Sequence, residues 1–342
     1  KYARSHHCRS RLNGIIFCQG NQYSRFQSQN WKKAWIVKEF PQLNGFKSHP
    51  GFVRLIGHRG ARGLMPENTM EGFEYTLSLG IMALEFDVLL TKDNVPIITH
   101  DKNLSRAVTR DNNGNWLVED GPNINELTLS ELKKFDVGGI DEHSLYRDCY
   151  PEQKFLSGVR IPTLSELLDL AGLPKNQNLY LLLEIKSEPH ANKTNMVQQI
   201  VMEVREKKLS NRTVLHSFDW DLLKECHRLA PEIPRSFLSE LPEKSESPSD
   251  MFAEEVTPDF SLFDVSIPKA VANLNGQMWC PDFKDVTSEI VQEAHDLGLI
   301  VCAWTVNEIE DLKNMIATGV DGIITDYPDR AQKVLNASGL NW

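Results

Sequence analysis

The sequence predicts an α/β protein built as a (β/α)8 barrel. From residue 53 onward, short β-rich runs alternate with amphipathic segments, which is the pattern of a mostly parallel sheet with crossover helices. The chain has 342 residues, whereas such a barrel needs roughly 250. Polar side chains also follow several of the predicted strands, at the end of the barrel where active sites of this architecture lie.

The predicted elements run in order along the chain. Nine runs are candidate strands, one more than a barrel needs: 53–58, 82–90, 95–100, 179–185, 212–217, 234–238, 277–280, 299–304 and 321–325. Helical periodicity covers 69–79, 163–171, 194–208, 219–229, 286–297, 308–317 and 328–337. Ser, Thr, Asp or Asn near several helix starts are suitable N-caps.

The second and third predicted strands are too close for a parallel crossover. Only residues 91–94 separate Leu90 from Val95, and a crossover needs a dozen or more residues. A tight antiparallel turn is therefore predicted. If residues 92 and 95 face each other, the register places Asp87 opposite His100.

Two segments stand apart from the barrel pattern. Residues 1–50 lack sustained periodicity and are interpreted as an N-terminal extension, which leaves 51–342 for the barrel. Residues 101–160 are too long for a structureless connection, so we expect an inserted subdomain that either caps the barrel mouth or packs on its side. The polar segment 242–250 is typical of a mobile surface loop.

Composition excludes some partners. A net charge of −10 and a pI near 5.5 argue against nucleic-acid binding. No run approaches the ~18 apolar residues of a membrane span, so we expect no stable membrane insertion. The cytoplasm is the favoured compartment. A periplasmic or secreted location is the alternative if a signal segment was removed.

The segment GHRGARGLMPENT at 57–69 places His58 and Arg59 at the end of an apolar strand. In a barrel this end is the catalytic rim. The glycines let the backbone approach a ligand closely, and Arg59 offers planar bidentate donors for phosphate oxygens.

Acidic residues interrupt two apolar strands. Glu85 and Asp87 in ALEFDVLL point to one side, as do Glu184 and Lys186 in LYLLLEIKSE. Unpaired buried carboxylates are costly, so a cation between them is predicted. Hard oxygen ligands favour Mg²⁺ or Ca²⁺ over zinc or copper. A purely structural Glu184–Lys186 pair is the alternative.

His100 ends the run PIITHDKN. A lone histidine at a strand end is more often structural, but His58 supplies a second imidazole at the same rim. Two such groups beside a cation can serve as general base and general acid at phosphorus. Arg59, Lys186 and the cation would stabilise the phosphoryl oxygens, so phosphoryl-transfer chemistry is indicated.

The motifs HRGARGLMPENT, LEFDVLLTKDNVPIITHD, LLLEIK, CAWTVN and GVDGIITDYP, in this order, resemble those of the glycerophosphodiester phosphodiesterase family across about 53–337. The resemblance implies a distorted (β/α)8 TIM barrel with an inserted subdomain after the third strand and one divalent cation, Mg²⁺ or Ca²⁺. It also implies hydrolysis of a small glycerophosphodiester to glycerol 3-phosphate and an alcohol. The first nucleophile would be the substrate's own glycerol hydroxyl, through a cyclic phosphate.

The resemblance also assigns roles residue by residue. The matched positions are the acid/base residues His58 and His100, the phosphate-site residues Arg59 and Lys186, the metal ligands Glu85, Asp87 and Glu184, the acidic residue Glu67 of the PEN turn, and the substrate-end aromatic Trp304. For Glu67 a brace of its own turn is an equal alternative, and Trp304 has core packing as its alternative.

Two rival functions are considered. A lysophospholipase D or sphingomyelinase D activity on the same barrel would take a lipid substrate and needs an apolar channel or a membrane-facing surface. A barrel that has lost catalysis and serves as a binding or scaffold protein is the second rival. The presence of every expected polar position argues against it.

Overall fold

The computed structural model describes residues 40–241 and 256–342. Most of the predicted extension, residues 1–39, and the predicted loop 242–250 lie outside the described residues. Residues Pro41–Gly45 form a short 3-10 helix, and the adjacent Phe46 is fully buried with its ring edge-on to Tyr180 at 5.8 Å. This part of the predicted extension therefore packs on the amino end of the barrel.

Eight parallel strands form a closed barrel, as predicted. The barrel strands, together with the additional strand β3, are β1 (Arg54–Gly57), β2 (Ala83–Leu90), β3 (Pro96–Ile98), β4 (Tyr180–Ile185), β5 (Thr213–Ser217), β6 (Arg235–Ser239), β7 (Met278–Pro281), β8 (Ile300–Ala303) and β9 (Gly322–Thr325). The ring order is β1-β2-β4-β5-β6-β7-β8-β9, and it closes because β1 pairs with both β2 and β9. The fold is thus a TIM barrel.

Helices follow the strands on the outside. They are α1 (Met70–Ser78), α2 (Leu129–Leu132), α3 (Leu145–Cys149), α4 (Leu164–Gly172), α5 (Lys193–Glu206), α6 (Trp220–Leu229), α7 (Ile267–Asn273), α8 (Ser288–Asp296), α9 (Ile309–Thr318) and α10 (Pro328–Ala337). The predicted helices are all present, with small shifts at their ends. The short helices α2, α3 and α7 were missed, since a few residues carry little periodicity. No helix within the described ranges combines the length and apolarity needed to cross a membrane.

The strand β3 explains the ninth predicted run. It lies outside the ring and pairs antiparallel with β2, with Val88 opposite Ile98. Asp87 therefore faces Thr99, whose N–H donates to the Asp87 carbonyl at 3.0 Å, and the predicted pairing of Asp87 with His100 was wrong by one residue. The cause is the turn.

The turn between β2 and β3 closes one residue earlier than predicted. The backbone N–H of Thr91 donates to the carbonyl of Val95 at 3.1 Å, and the Val95 N–H returns a hydrogen bond to Thr91 Oγ1 at 2.9 Å. Three residues then form the loop, and Asn94 takes a left-handed conformation with φ 60°. This is a common way to close a three-residue hairpin loop.

The alternation in β2 directs two acids into the barrel. Leu84 and Phe86 pack against the outer helices, whereas Ala83 lies in the interior cluster. Glu85 and Asp87 follow Ala83 at steps of two, so they share its side of the sheet. They lie toward the carboxyl end of the strand, above the apolar interior.

The strand β4 repeats this arrangement next to β2. Leu182 belongs to the interior cluster, so Glu184 and then Lys186 face the same side. The parallel register places Asp87 beside Glu184. The neighbouring strands thereby bring the two acidic pairs together.

Residues 101–160 form an excursion between β3 and α4. It contains α2, α3 and a 3-10 helix at Ile124–Glu126. A small apolar cluster joins it to the hairpin, with the buried members Leu89, Ile97, Leu104, Ile124, Leu132 and Ile161. The excursion is thus anchored on β2, which carries Glu85 and Asp87, and on β3, which precedes His100.

Candidate active site

Three carboxylates meet at the carboxyl ends of β2 and β4. Ligand oxygens of Glu85, Asp87 and Glu184 all lie within 4.8 Å of one another, and each residue is buried. This is the convergence that the strand alternation predicted. Carboxylate oxygens this close can share one ion.

Positive charge only partly balances these acids. Lys186 Nζ lies 2.8 Å from Glu184 Oε1 and 3.2 Å from Asp87 Oδ1, and Arg59 Nε lies 3.3 Å from Asp87 Oδ2. Glu85 Oε2 accepts the backbone N–H of Arg59 at 3.0 Å, while Glu85 Oε1 has no hydrogen-bond partner among the described residues. Burial and the neighbouring carboxylates raise the pKa of Glu85 well above its usual value.

His58 lies directly after β1 and is held by a carboxylate from the far end of the chain. Its Nδ1 is 2.7 Å from Asp326 Oδ1, and its Nε2 is 3.7 Å from Glu85 Oε2. Asp326 also accepts hydrogen bonds from Arg62 Nε at 2.8 Å and Asn307 Nδ2 at 2.8 Å. An ionised carboxylate only accepts, so His58 carries hydrogen on Nδ1 and, when neutral, a lone pair on Nε2.

Asp326 stays ionised and His58 stays neutral in this arrangement. Despite burial, Arg62 and His58 hold the pKa of Asp326 far below its usual range. Burial lowers the pKa of His58 to about 4, because the attraction of Asp326 is offset in part by Arg62. His58 is therefore a neutral acceptor near pH 7.

His100 follows β3 and stands in a more negative setting. Its Nδ1 is 2.7 Å from Asp101 Oδ1, and its ring is buried. Burial, Arg59 and Lys186 oppose its charged form, yet Asp87 and Asp101 together raise the pKa of His100 above 6.5. The two imidazoles thus favour opposite protonation states.

Arg59 is held between two carboxylates. Its Nη1 donates to Glu67 Oε1 at 2.8 Å, and its Nε faces Asp87. Arg59 has a left-handed backbone with φ 48°, which turns its N–H toward Glu85. Glu67 also accepts a hydrogen bond from the hydroxyl of Tyr146 in the excursion.

A cavity of about 190 Å³ unites most of these groups. Its lining includes the predicted residues His58, Arg59, Glu85, His100, Glu184, Lys186 and Trp304, together with Arg62, Tyr150, His216, Phe218 and Lys284. Asp87 lies beneath it as the partner of Lys186. Glu67 lies behind Arg59, in the lining of a neighbouring cavity of about 40 Å³.

Part of the cavity wall is aromatic. Trp304 is half-buried, and its Nε1 donates to the carbonyl of Cys280 at 2.9 Å. Phe218 packs edge-on against it at 5.4 Å between ring centroids. Trp304 therefore both packs on the interior cluster and faces the cavity.

The sequence interpretation missed several of these residues. Asp326 had an available signal, since it directly follows an apolar strand in the quoted motif GVDGIITDYP. His216 likewise sits near the end of β5. Tyr146 and Tyr150 were expected only as aromatic residues of an excursion that could cap the barrel mouth, and no periodicity indicated their partners in the site.

Known proteins are similar to this chain in architecture and in sequence. The crystal structure of a putative glycerophosphoryl diester phosphodiesterase from Silicibacter pomeroyi DSS-3 is 51% identical, with a TM-score of 0.83 over 89% of this chain and 100% of that chain. A glycerophosphodiester phosphodiesterase from Bacillus altitudinis is 30% identical over 82% of this chain and 98% of its own length. A human lysophospholipase D is 24% identical over 89% of this chain and 93% of its own length.

A family comparison covers most of the chain. Residues 58–330 match the sequence profile of the glycerophosphoryl diester phosphodiesterase family. The matched range starts at His58 and extends past Asp326, so it contains every residue of the site described above. The chain therefore belongs to the glycerophosphoryl diester phosphodiesterase family of enzymes.

Proposed function

We propose that the protein hydrolyses a glycerophosphodiester to glycerol 3-phosphate and an alcohol, with one divalent cation and two histidines. The observation that carries this proposal is a single cavity where a carboxylate triad meets two imidazoles, each oriented by its own aspartate. Family membership supports the reaction class.

The acidic triad fits a cation. Glu85, Asp87 and Glu184 offer only hard oxygen donors, which suits Mg²⁺ or Ca²⁺. The raised pKa of Glu85 and of Glu184 reflects burial and mutual repulsion, and an ion would relieve both. When bound, the cation would act as a Lewis acid on the phosphoryl oxygens.

His58 is the general base in this proposal. Its Nδ1 hydrogen is committed to Asp326, so its Nε2 lone pair is the atom available to accept a proton. Asp326 then stabilises the imidazolium that forms. Asp326 needs no proton of its own, because Arg62 and Asn307 continue to donate to it.

His100 is the general acid. The negative charges of Asp87 and Asp101 favour its protonated form, which is the form that can deliver a proton to a departing alkoxide. The assignment thus follows from the surroundings of the two rings. His58 shares Asp326 with Arg62, whereas His100 is influenced by two carboxylates, Asp87 and Asp101.

Arg59 and Lys186 are the phosphate-binding cations. Both line the cavity, and both are held by carboxylates: Arg59 by Glu67, and Lys186 by Glu184 and Asp87. Fixed cations bind a phosphodiester without losing side-chain entropy at that moment. Glu67 contributes by holding Arg59, which favours the bracing alternative over direct substrate contact.

The substrate's own glycerol hydroxyl is the nucleophile. His58 takes its proton as the oxygen attacks phosphorus, and the bond to the alcohol breaks as His100 donates its proton. Water then opens the cyclic phosphate, with His100 as base and His58 as acid. The described residues that line the cavity include no serine or cysteine to act in place of this hydroxyl.

The aromatic wall faces the departing alcohol. Trp304 and Phe218 both line the cavity and can cover an apolar or methylated group. Lysophospholipase D activity would release the same headgroup alcohol from a phosphate that keeps its acylglycerol, so this alternative is tested beside the main proposal.

The deciding experiment measures glycerol 3-phosphate released from glycerophosphocholine and glycerophosphoethanolamine, with and without EDTA. We expect turnover that EDTA abolishes and Mg²⁺ or Ca²⁺ restores. A parallel assay with lysophosphatidylcholine reports the alternative. Turnover of the lipid alone would favour lysophospholipase D activity, and EDTA-resistant turnover would refute the metal-dependent route.

A further inference from the structure

One short helix of the excursion contacts the loop that follows β1. Tyr146 lies on helix α3 and Tyr150 directly follows it, with ring centroids 5.0 Å from each other. The Tyr146 hydroxyl donates to Glu67 Oε2, and the Tyr150 ring lies 4.6 Å from the guanidinium carbon of Arg62. Both partners sit on the same loop as Arg59.

Glu67 links Tyr146 to Arg59. One of its oxygens accepts from Arg59 Nη1 at 2.8 Å, and the other accepts from the tyrosine hydroxyl. The side chains of Arg59 and Glu67 are 6% and 15% exposed. Rotation of the carboxylate would break one of these two bonds, so Tyr146 determines the direction from which Glu67 holds Arg59.

The phenol of Tyr146 suits this role. Burial and the charge of Glu67 raise its pKa well above 10, so the hydroxyl keeps its hydrogen and remains a donor. The described lining of the cavity of about 190 Å³ contains Tyr150 and Arg59 but not Tyr146. Any effect of Tyr146 on the substrate must therefore pass through another residue.

The same segment is secured to the loop at further points. Gln153 Nε2 donates to the carbonyl of Arg62 at 2.7 Å, and the Lys154 N–H donates to the carbonyl of Leu64 at 3.0 Å. These bonds keep α3 in place without help from the Tyr146 hydroxyl. Loss of that hydroxyl should leave the segment docked.

We propose that Tyr146 is a positioning residue, which orients the phosphate-binding guanidinium of Arg59 through Glu67. The inference rests on the proposed role of Arg59 in binding the phosphodiester. The barrel's phosphate site is then completed by the excursion. Without the phenol, Glu67 turns toward solvent and draws Arg59 away from the cavity, so phosphate binds more weakly.

The test removes only the hydroxyl. Tyr146→Phe should raise the KM for glycerophosphocholine and the inhibition constant of inorganic phosphate about tenfold, the usual size for a charged hydrogen bond. The value of kcat should stay within about threefold, because Arg59 binds ground state and transition state alike. Tyr180→Phe, at the amino end of the barrel, is the matched control and should change neither constant.

A double-mutant cycle identifies the route. If Tyr146 acts through Glu67, adding Tyr146→Phe to Glu67→Ala should change the phosphate inhibition constant less than about twofold. A full tenfold effect in both backgrounds would overturn the inference. Thermal unfolding verifies that each variant is folded, and Glu67→Gln tests the same link if Tyr146→Phe does not fold.

One further variant separates this inference from the proposed function. Arg59→Lys should weaken phosphate inhibition about tenfold or more if Arg59 binds the phosphodiester. An unaffected Arg59→Lys variant would contradict the proposed role of Arg59. A weakened Arg59→Lys variant beside an unaffected Tyr146→Phe variant would refute the positioning role of Tyr146 alone.

Discussion

His58 and Asp326 are 268 residues apart in the sequence, yet His58 Nδ1 lies 2.7 Å from Asp326 Oδ1. The contact joins the residues that directly follow β1 and β9, strands that pair where the barrel closes. It decides which nitrogen of His58 faces the cavity.

Replacing Asp326 with Asn should lower kcat about 10²–10⁴-fold with little change in KM, because the amide can select the wrong tautomer of His58. Asp321 forms a similar pair with His295 at 2.8 Å, before β9 rather than after it. Asp321→Asn is the matched control, and it should affect stability but not kcat. A folded Asp326→Asn variant with normal kcat would contradict the role of the pair.

The two histidines should respond differently to the leaving group. His58→Ala and His100→Ala should each lower kcat roughly 10²–10⁴-fold with glycerophosphocholine. With a p-nitrophenyl diester, whose leaving group needs no proton, the defect of His100→Ala in the first-turnover release of p-nitrophenol should shrink and that of His58→Ala should persist. His227→Ala on the outer helix α6 is the control. The reverse pattern would exchange the acid and base assignments.

The pH dependence should be bell-shaped with unequal limbs. A general base works when deprotonated, so kcat/KM should rise with pH through the pKa of His58, about 4. A general acid works when protonated, so activity should fall as pH rises through the pKa of His100, which lies above 6.5. An acidic limb centred above 6.5, or an alkaline limb that survives in His100→Ala, would count against this model.

The metal site should reveal itself in stability as well as activity. Without metal, Glu85→Gln should raise the melting temperature, because it removes a buried carboxylate whose pKa is raised by burial and repulsion. With Mg²⁺ or Ca²⁺ added, the wild type should gain stability and the variant should gain less. Exposed Glu310→Gln is the control. If neither Mg²⁺ nor Ca²⁺ changed the melting temperature of the wild type, that result would argue against the metal site.

The nucleophile can be tested chemically. A substrate analogue with hydrogen in place of the adjacent glycerol hydroxyl keeps the phosphate and the leaving group. We expect its hydrolysis to be slower by several orders of magnitude, since the intramolecular attack is lost. Near-normal hydrolysis of the analogue would exclude the cyclic phosphate route and favour direct attack by water.

Much of the acidic half of the site was predictable from local periodicity. Side chains alternate along a strand, so the spacing of Glu85 and Asp87, and of Glu184 and Lys186, places each pair on one face. Apolar neighbours predict that these faces are inward. His58 was predicted by its position after an apolar strand, where a barrel displays its active site.

The tertiary structure decided how these pieces meet. The strand β3 lies outside the ring. Its hairpin closes at Thr91 and Val95, so Asp87 faces Thr99 and not His100. Barrel closure brought Asp326 to His58, and the docking of α3 brought Tyr146 to Glu67. The sequence by itself determined which residues share a strand face, because that depends on a repeat of two residues. The pairing of distant residues depends on which strands become neighbours and where the excursion packs, and no local repeat encodes either.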